Sequence, residues 1–147
     1  MRLSPYILSL LGASTPAFAA NIRTQSSDVV SLTQETFHDF MEQHDLVLAN
    51  FYAPWCRYSR NLAPRFEQAA KELKSDNIPL VKVDCTREER LCSEFAIGEY
   101  PTLKVFRGPE SYEPYHGSRR AESIISYMID ESVSTGAGRG LYLQTYD

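Results

Sequence analysis

Two apolar runs limit what this chain can fold into. Leu46-Val47-Leu48-Ala49-Asn50-Phe51-Tyr52 and Ile78-Pro79-Leu80-Val81-Lys82-Val83-Asp84 are rich in strand-forming residues and too short for ordinary helices. Neither run has a polar face to give to water, so each reads as a strand covered on both sides. Between them, Leu62, Phe66, Ala69, Ala70 and Leu73 recur at helical spacing from about Cys56 to Lys74, with charged residues interleaved. Pro64 interrupts that pattern and is expected to kink it. A strand, a helix and a second strand joined in this way make a parallel pair.

The flanking segments extend the alternation. Asp28 to Leu32 reads as a short strand, and Thr33 as the N-cap of a helix with Phe37, Phe40 and Met41 on one face. Glu88 to Phe95 reads as a short helix and Thr102 to Phe106 as a further strand. Gly108-Pro109 turns the chain into a brief edge strand around Tyr112 to Tyr115. Ile124, Ile125, Met128, Ile129 and Val133 define a final amphipathic helix. The expected order is β-α-β-α-β-α-β-β-α. The short Gly-Pro connection makes its pair antiparallel, so the fold class is α/β with a central mixed sheet flanked by helices on both faces.

The 147 residues, 43% hydrophobic, suit one domain with a real core. The net charge of -4 and the scatter of Lys and Arg argue against nucleic acid or an anionic membrane as partners. Residues 1–19 have a signal-peptide layout: Arg2, an apolar stretch from Tyr6 to Leu11, then Ala17-Phe18-Ala19 before Ala20. An ordinary buried helix is the alternative, but Pro5, Gly12 and Pro16 break it up. Residues 20–133 then form the domain, and the glycine-rich residues 134–147, which lose periodicity, a C-terminal tail. The expected compartment is oxidising. There, three cysteines imply one disulfide and one free or intermolecular thiol. A strand-loop-helix turn can join Cys85 and Cys92, which makes them the candidate structural pair; two reduced core cysteines are the alternative.

Tyr52-Ala53-Pro54-Trp55-Cys56, followed in order by LVKVDCT and by EYPTLKVFRG, resembles the thioredoxin superfamily, most closely the first catalytic domain of fungal protein disulfide isomerases. The resemblance spans roughly Asp28 to Val133 and implies a thioredoxin-like fold with a cis Tyr100–Pro101 bond facing Cys56. It also implies thiol–disulfide exchange on unfolded or cysteine-containing client polypeptides, with glutathione as a possible co-reactant and no cofactor. The location it implies is the endoplasmic-reticulum lumen, or outside the cell, since the chain ends in Leu-Gln-Thr-Tyr-Asp rather than a Lys-Asp-Glu-Leu-type signal.

A cysteine at a helix start faces free N–H groups and the positive end of the helix dipole, which favour its thiolate. Arg57 is expected to add to that effect, while Tyr58 stands where the isomerases carry histidine. The family's second cysteine is replaced by Ser59. A hydroxyl cannot close a disulfide with Cys56, so the two-electron oxidase and reductase cycle is excluded and isomerisation or capture remains. Asn50 occupies the position of the family's buried glutamate, and Lys82 matches the lysine expected beside it. Arg119 matches an arginine that acts on the second cysteine, a role that Ser59 puts in question. Trp55, Tyr58 and Tyr100, with Pro101, are expected to rim Cys56 as a client-binding face. Core packing of Trp55 is the alternative. His38, His44 and His116 show no ligand spacing with the cysteines, so no metal is expected.

Three readings follow from these residues. One is an isomerase working through Cys56. Another is a binding module, since Cys56-Arg57-Tyr58-Ser59 is similar to the Cys-Arg-Phe-Ser of a thioredoxin-like chaperone that holds clients through mixed disulfides. The third is an inactive pseudo-enzyme or a piece of a multidomain isomerase.

Overall fold

The computed structural model describes residues 26–136, so the proposed signal peptide and the chain after Gly136 lie outside the described residues. The elements are β1 (Val30–Ser31), α1 (Gln34–Glu42), β2 (Val47–Tyr52), α2 (Arg57–Leu73), a 3-10 turn (Lys74–Asp76), β3 (Leu80–Asp84), α3 (Glu89–Glu94), β4 (Thr102–Phe106), β5 (Tyr112–Pro114) and α4 (Ala121–Thr135). Their strand and helix order is the one the periodicities predict. The five strands lie in the order β1-β3-β2-β4-β5. β1 and β2 run parallel to β3, while β4 is antiparallel to both β2 and β5. β2 is therefore central, and all its residues are buried except Tyr52, which is half-buried.

Each face of the sheet has its own core. Leu48, Leu80 and Val105 pack with Leu62, Phe66 and Leu73 of α2 and with Ile124 and Met128 of α4. On the other face, Val47, Phe51, Val81 and Phe106 pack with Phe37 and Met41 of α1 and with Leu91 and Cys92 of α3. The alternation of β2 side chains between the two clusters is the period-2 geometry of a strand buried on both sides. Burying side chains of this size stabilises the fold by about 1.5–3 kcal/mol each, so the helices stay on the sheet without help from a long loop.

Three local features differ from, or add to, the expectations. α2 continues through Pro64, at the cost of the hydrogen bond that a residue-64 N–H would donate to the Arg60 carbonyl. α4 continues past Val133, through Ser134 and Thr135, which the sequence reading places in the tail. Their hydroxyls donate to the carbonyls of Asp130 and Glu131, so polar residues cover the last turn where the apolar periodicity has ended. At the end of α3, Ala96 takes a left-handed conformation with φ 52°. Its neighbour Ile97 then donates to the Cys92 carbonyl at 2.9 Å, closing the helix end and directing the chain toward the Tyr100–Pro101 loop. Among the described residues, no helix is long and apolar enough to cross a membrane.

Candidate thiol site at the start of the second helix

β2 ends at the sheet's centre and the chain turns through Ala53 to Trp55 into α2, with Cys56 as the N-cap residue in extended conformation. The Cys56 N–H donates to the Ala53 carbonyl at 3.1 Å, and the Cys56 carbonyl accepts the first helical bond from Arg60 N–H at 3.1 Å. This fixes the sulfur over the first turn. In its thiol form it donates to the Tyr100 carbonyl at 3.4 Å. The thiolate is held below the ordinary cysteine pKa by the Ser59 backbone N–H first, then by the Tyr58 N–H, the Ser59 hydroxyl and the positive charge of Arg60; desolvation opposes them. Arg60, rather than the expected Arg57, is thus the cation that acts on Cys56. A residue four places into a helix lies back over the residue that starts it, and that spacing was the signal in the sequence.

The other candidate residues distribute around this sulfur. The Tyr100–Pro101 bond is cis. Trp55 and Tyr58 are each 67% exposed, so neither belongs to the core. The Trp55 ring meets the Tyr100 ring edge to face at 6.0 Å between centroids. Arg119 donates from Nη2 to the Pro101 carbonyl at 3.2 Å, so it supports the cis-proline loop from the far side of β4 in sequence. Cys85 and Cys92 form a disulfide, both nearly fully buried. Cys56 is the free cysteine. His38 of α1 contacts Glu94 of α3 at 3.2 Å, and His44 Nδ1, just past α1, lies 2.8 Å from the Phe40 carbonyl.

Behind Cys56, Ser59 is buried at 3% exposure and its Oγ accepts from the Ala53 N–H at 3.4 Å. A small cavity of about 90 Å³ opens beside it, lined among others by Asn50, Tyr52, Glu67 and Lys82. Asn50 sits opposite Lys82 in the β2–β3 register. It is 4% exposed, and its Oδ1 has no hydrogen-bond partner among the described residues. Lys82 reaches instead toward Glu67 of α2, at 3.9 Å. The cavity therefore holds a neutral amide at its base, and its carboxylate lies toward the surface. Glu67 was not singled out by the sequence, because its meeting with Lys82 depends on how α2 lies across β3.

Cys56 is thus a free thiol at the start of α2 with the buried hydroxyl of Ser59 one turn along. The Thioredoxin family model matches residues 28–130. The chain belongs to the thioredoxin family and, within it, is a protein-disulfide-isomerase-like domain. It is 57% identical over 131 residues to the protein disulfide-isomerase of Aspergillus oryzae, covering 88% of this chain and 25% of that one. To the protein disulfide-isomerase of Humicola insolens it is 50% identical over 132 residues, covering 90% of this chain and 25% of that one. It thus spans about a quarter of the length of these curated relatives. Among solved structures, the first thioredoxin domain of mouse protein disulfide-isomerase A4 superposes with a TM-score of 0.66 at 32% identity, covering 82% of this chain and 88% of that one. Human ERp44 form I gives a TM-score of 0.68 at 31% identity, covering 72% of this chain and 30% of that one.

Proposed function

We propose that this chain assists oxidative protein folding through Cys56 alone, in the endoplasmic-reticulum lumen or after secretion. Its partners are unfolded or cysteine-containing polypeptides. One observation carries the reading: the residue one turn behind Cys56, beside its sulfur, is the buried hydroxyl of Ser59. The Cys56 thiolate attacks one sulfur of a client disulfide. A protein–client disulfide forms, and the other client sulfur leaves as a thiolate, with no net change in oxidation state. Ser59 assists by donating to the thiolate, yet cannot displace the bound client. Release waits for a thiolate from the client itself or from glutathione. This supports isomerisation and not net oxidation.

In this scheme, Trp55, Tyr58 and Tyr100 form the client-binding rim, and Pro101, held through its carbonyl by Arg119, keeps the loop against Cys56. Capture without turnover is a second reading, favoured by Asn50: with a neutral amide in the buried position, no carboxylate there can move a proton to speed release.

A scrambled-disulfide substrate in glutathione buffer tests both. Turnover is expected from the unaltered chain and is expected to vanish in Cys56→Ala. Ser59→Cys is expected to gain net oxidation of a reduced substrate. Long-lived adducts without turnover would select capture. Equal behaviour of the unaltered chain and Cys56→Ala would sink the whole proposal.

A further inference from the structure

A groove of about 450 Å³ lies between the cis-proline loop and α3. Trp55, Ile97 and Tyr100 give it apolar surface, and Thr86, Glu89 and Ser93 give it polar surface, with the Cys85–Cys92 disulfide also in its lining. Tyr100 belongs to two places at once: its carbonyl accepts from the Cys56 sulfur at 3.4 Å, and the residue lines the groove. An extended chain advances about 3.3 Å per residue, so a polypeptide bonded to Cys56 brings its near neighbours to this groove.

Among the described residues, Glu89 is the only charged one in the lining. The other acids of this segment are engaged. Glu88 accepts the Gln34 N–H at 2.8 Å, and Glu94 contacts His38 at 3.2 Å. Among the described residues, Glu89 has no ion pair and no side-chain hydrogen bond. The arginines near Cys56 belong to α2, where Arg60 donates to the Trp55 carbonyl at 3.1 Å, and Arg87 turns back toward Asp84. Cys56 thus has positive charge on its α2 side and an unpaired carboxylate in the groove.

We infer that this groove selects clients carrying a lysine or arginine within about two or three residues of the cysteine that bonds to Cys56. A long basic side chain fits the chemistry of the lining. Its methylene stem covers Ile97 and the aromatic rings, its charge lies against the faces of Trp55 and Tyr100, and its head reaches the Glu89 carboxylate. An apolar side chain would strip water from Glu89 without replacing it, and an acidic one would be repelled. The inference rests on the assignment of Cys56 as the exchanging thiol.

Three peptides that differ only in the residue beside their cysteine (Lys, Leu or Glu) test it, each cysteine carried as a mixed disulfide with a chromophoric thiol. The Cys56 thiolate of the full chain attacks the peptide sulfur, the protein–peptide disulfide forms, and the chromophoric thiolate leaves and is read by absorbance. Each rate is divided by the rate with glutathione, which removes the peptides' own differences in reactivity. The Lys peptide is expected to react about 3- to 10-fold faster than the Leu peptide, with the Glu peptide slowest. That advantage is expected to shrink in high salt, to disappear in Glu89→Gln and to reverse toward the Glu peptide in Glu89→Lys. Glu89 is exposed, so these variants keep the core intact. Equal rates, a fastest Leu peptide, or a Lys preference that survives Glu89→Gln would overturn the inference. Failure of all three peptides to release the chromophore would instead overturn the assignment of Cys56.

Discussion

Cys56 and the Cys85–Cys92 pair occupy similar addresses in the fold and have opposite chemistry. Cys56 and Cys85 each follow the end of a parallel strand, β2 in one case and β3 in the other, and each precedes a helix. The two turns are tied together, since the Cys85 N–H donates to the Tyr52 carbonyl at 2.9 Å. Cys56 caps its helix, remains half-exposed and faces the N–H groups of Tyr58 and Ser59. Cys85 meets Cys92 from inside α3, within the core that holds Leu91 and Phe95. The residue type is the same at both places, but the buried pair is spent in a disulfide, while Cys56 keeps a thiol whose reactivity solvent access and the backbone donors around it set.

The largest effect expected from testing this contrast is on stability. Replacing Cys85 and Cys92 together by alanine should cost roughly 2–3 kcal/mol, the loop-closure value for so short a ring, while one reactive thiol, Cys56, still titrates. Chemical denaturation with thiol counting measures both. A loss of Cys56 reactivity in that variant would show that the two sulfur sites are not separable.

Asn50→Leu probes the ground beneath the exposed site. Its Oδ1 is buried without a partner among the described residues, so replacing the amide by an apolar side chain of similar size should raise stability by about 1 kcal/mol. Thermal unfolding reads the change, and a drop in stability would mean that the amide is satisfied by water held in the cavity.

The finest test concerns the donors around Cys56. Its alkylation rate should rise with pH as the thiolate forms and level off above a midpoint lying below the ordinary cysteine value. Ser59→Ala removes the hydroxyl donor, so the midpoint should move up and the rate at neutral pH should fall. An unmoved midpoint would leave the backbone N–H groups and Arg60 as the whole cause.

Much of this architecture was legible because its causes are local. The runs at β2 and β3, the helical spacing of Leu62 to Leu73 and the Gly-Pro turn report on neighbours a few residues away, and those patterns determine strand, helix and order. The last two residues of α4, Ser134 and Thr135, were not legible in this way: both are polar, with hydroxyls bonded to the carbonyls of Asp130 and Glu131, and leave no apolar period to read. Arg57 was named for its adjacency to Cys56, whereas the positive charge that lowers the Cys56 pKa is that of Arg60, one helical turn along.

The sequence by itself determined that Cys56 has no sulfur partner at position 59, because no fold can make a disulfide from a serine hydroxyl. It also determined the strand and helix order around that position. Only the tertiary structure decided that Lys82 would turn to Glu67 and leave Asn50 Oδ1 unpaired among the described residues, and that Glu89 would face a groove beside Trp55. Those meetings join residues from different strands, loops and helices, and their distances depend on how the helices and the cis-proline loop lie across the sheet, a placement that side-chain packing sets and local pattern does not carry.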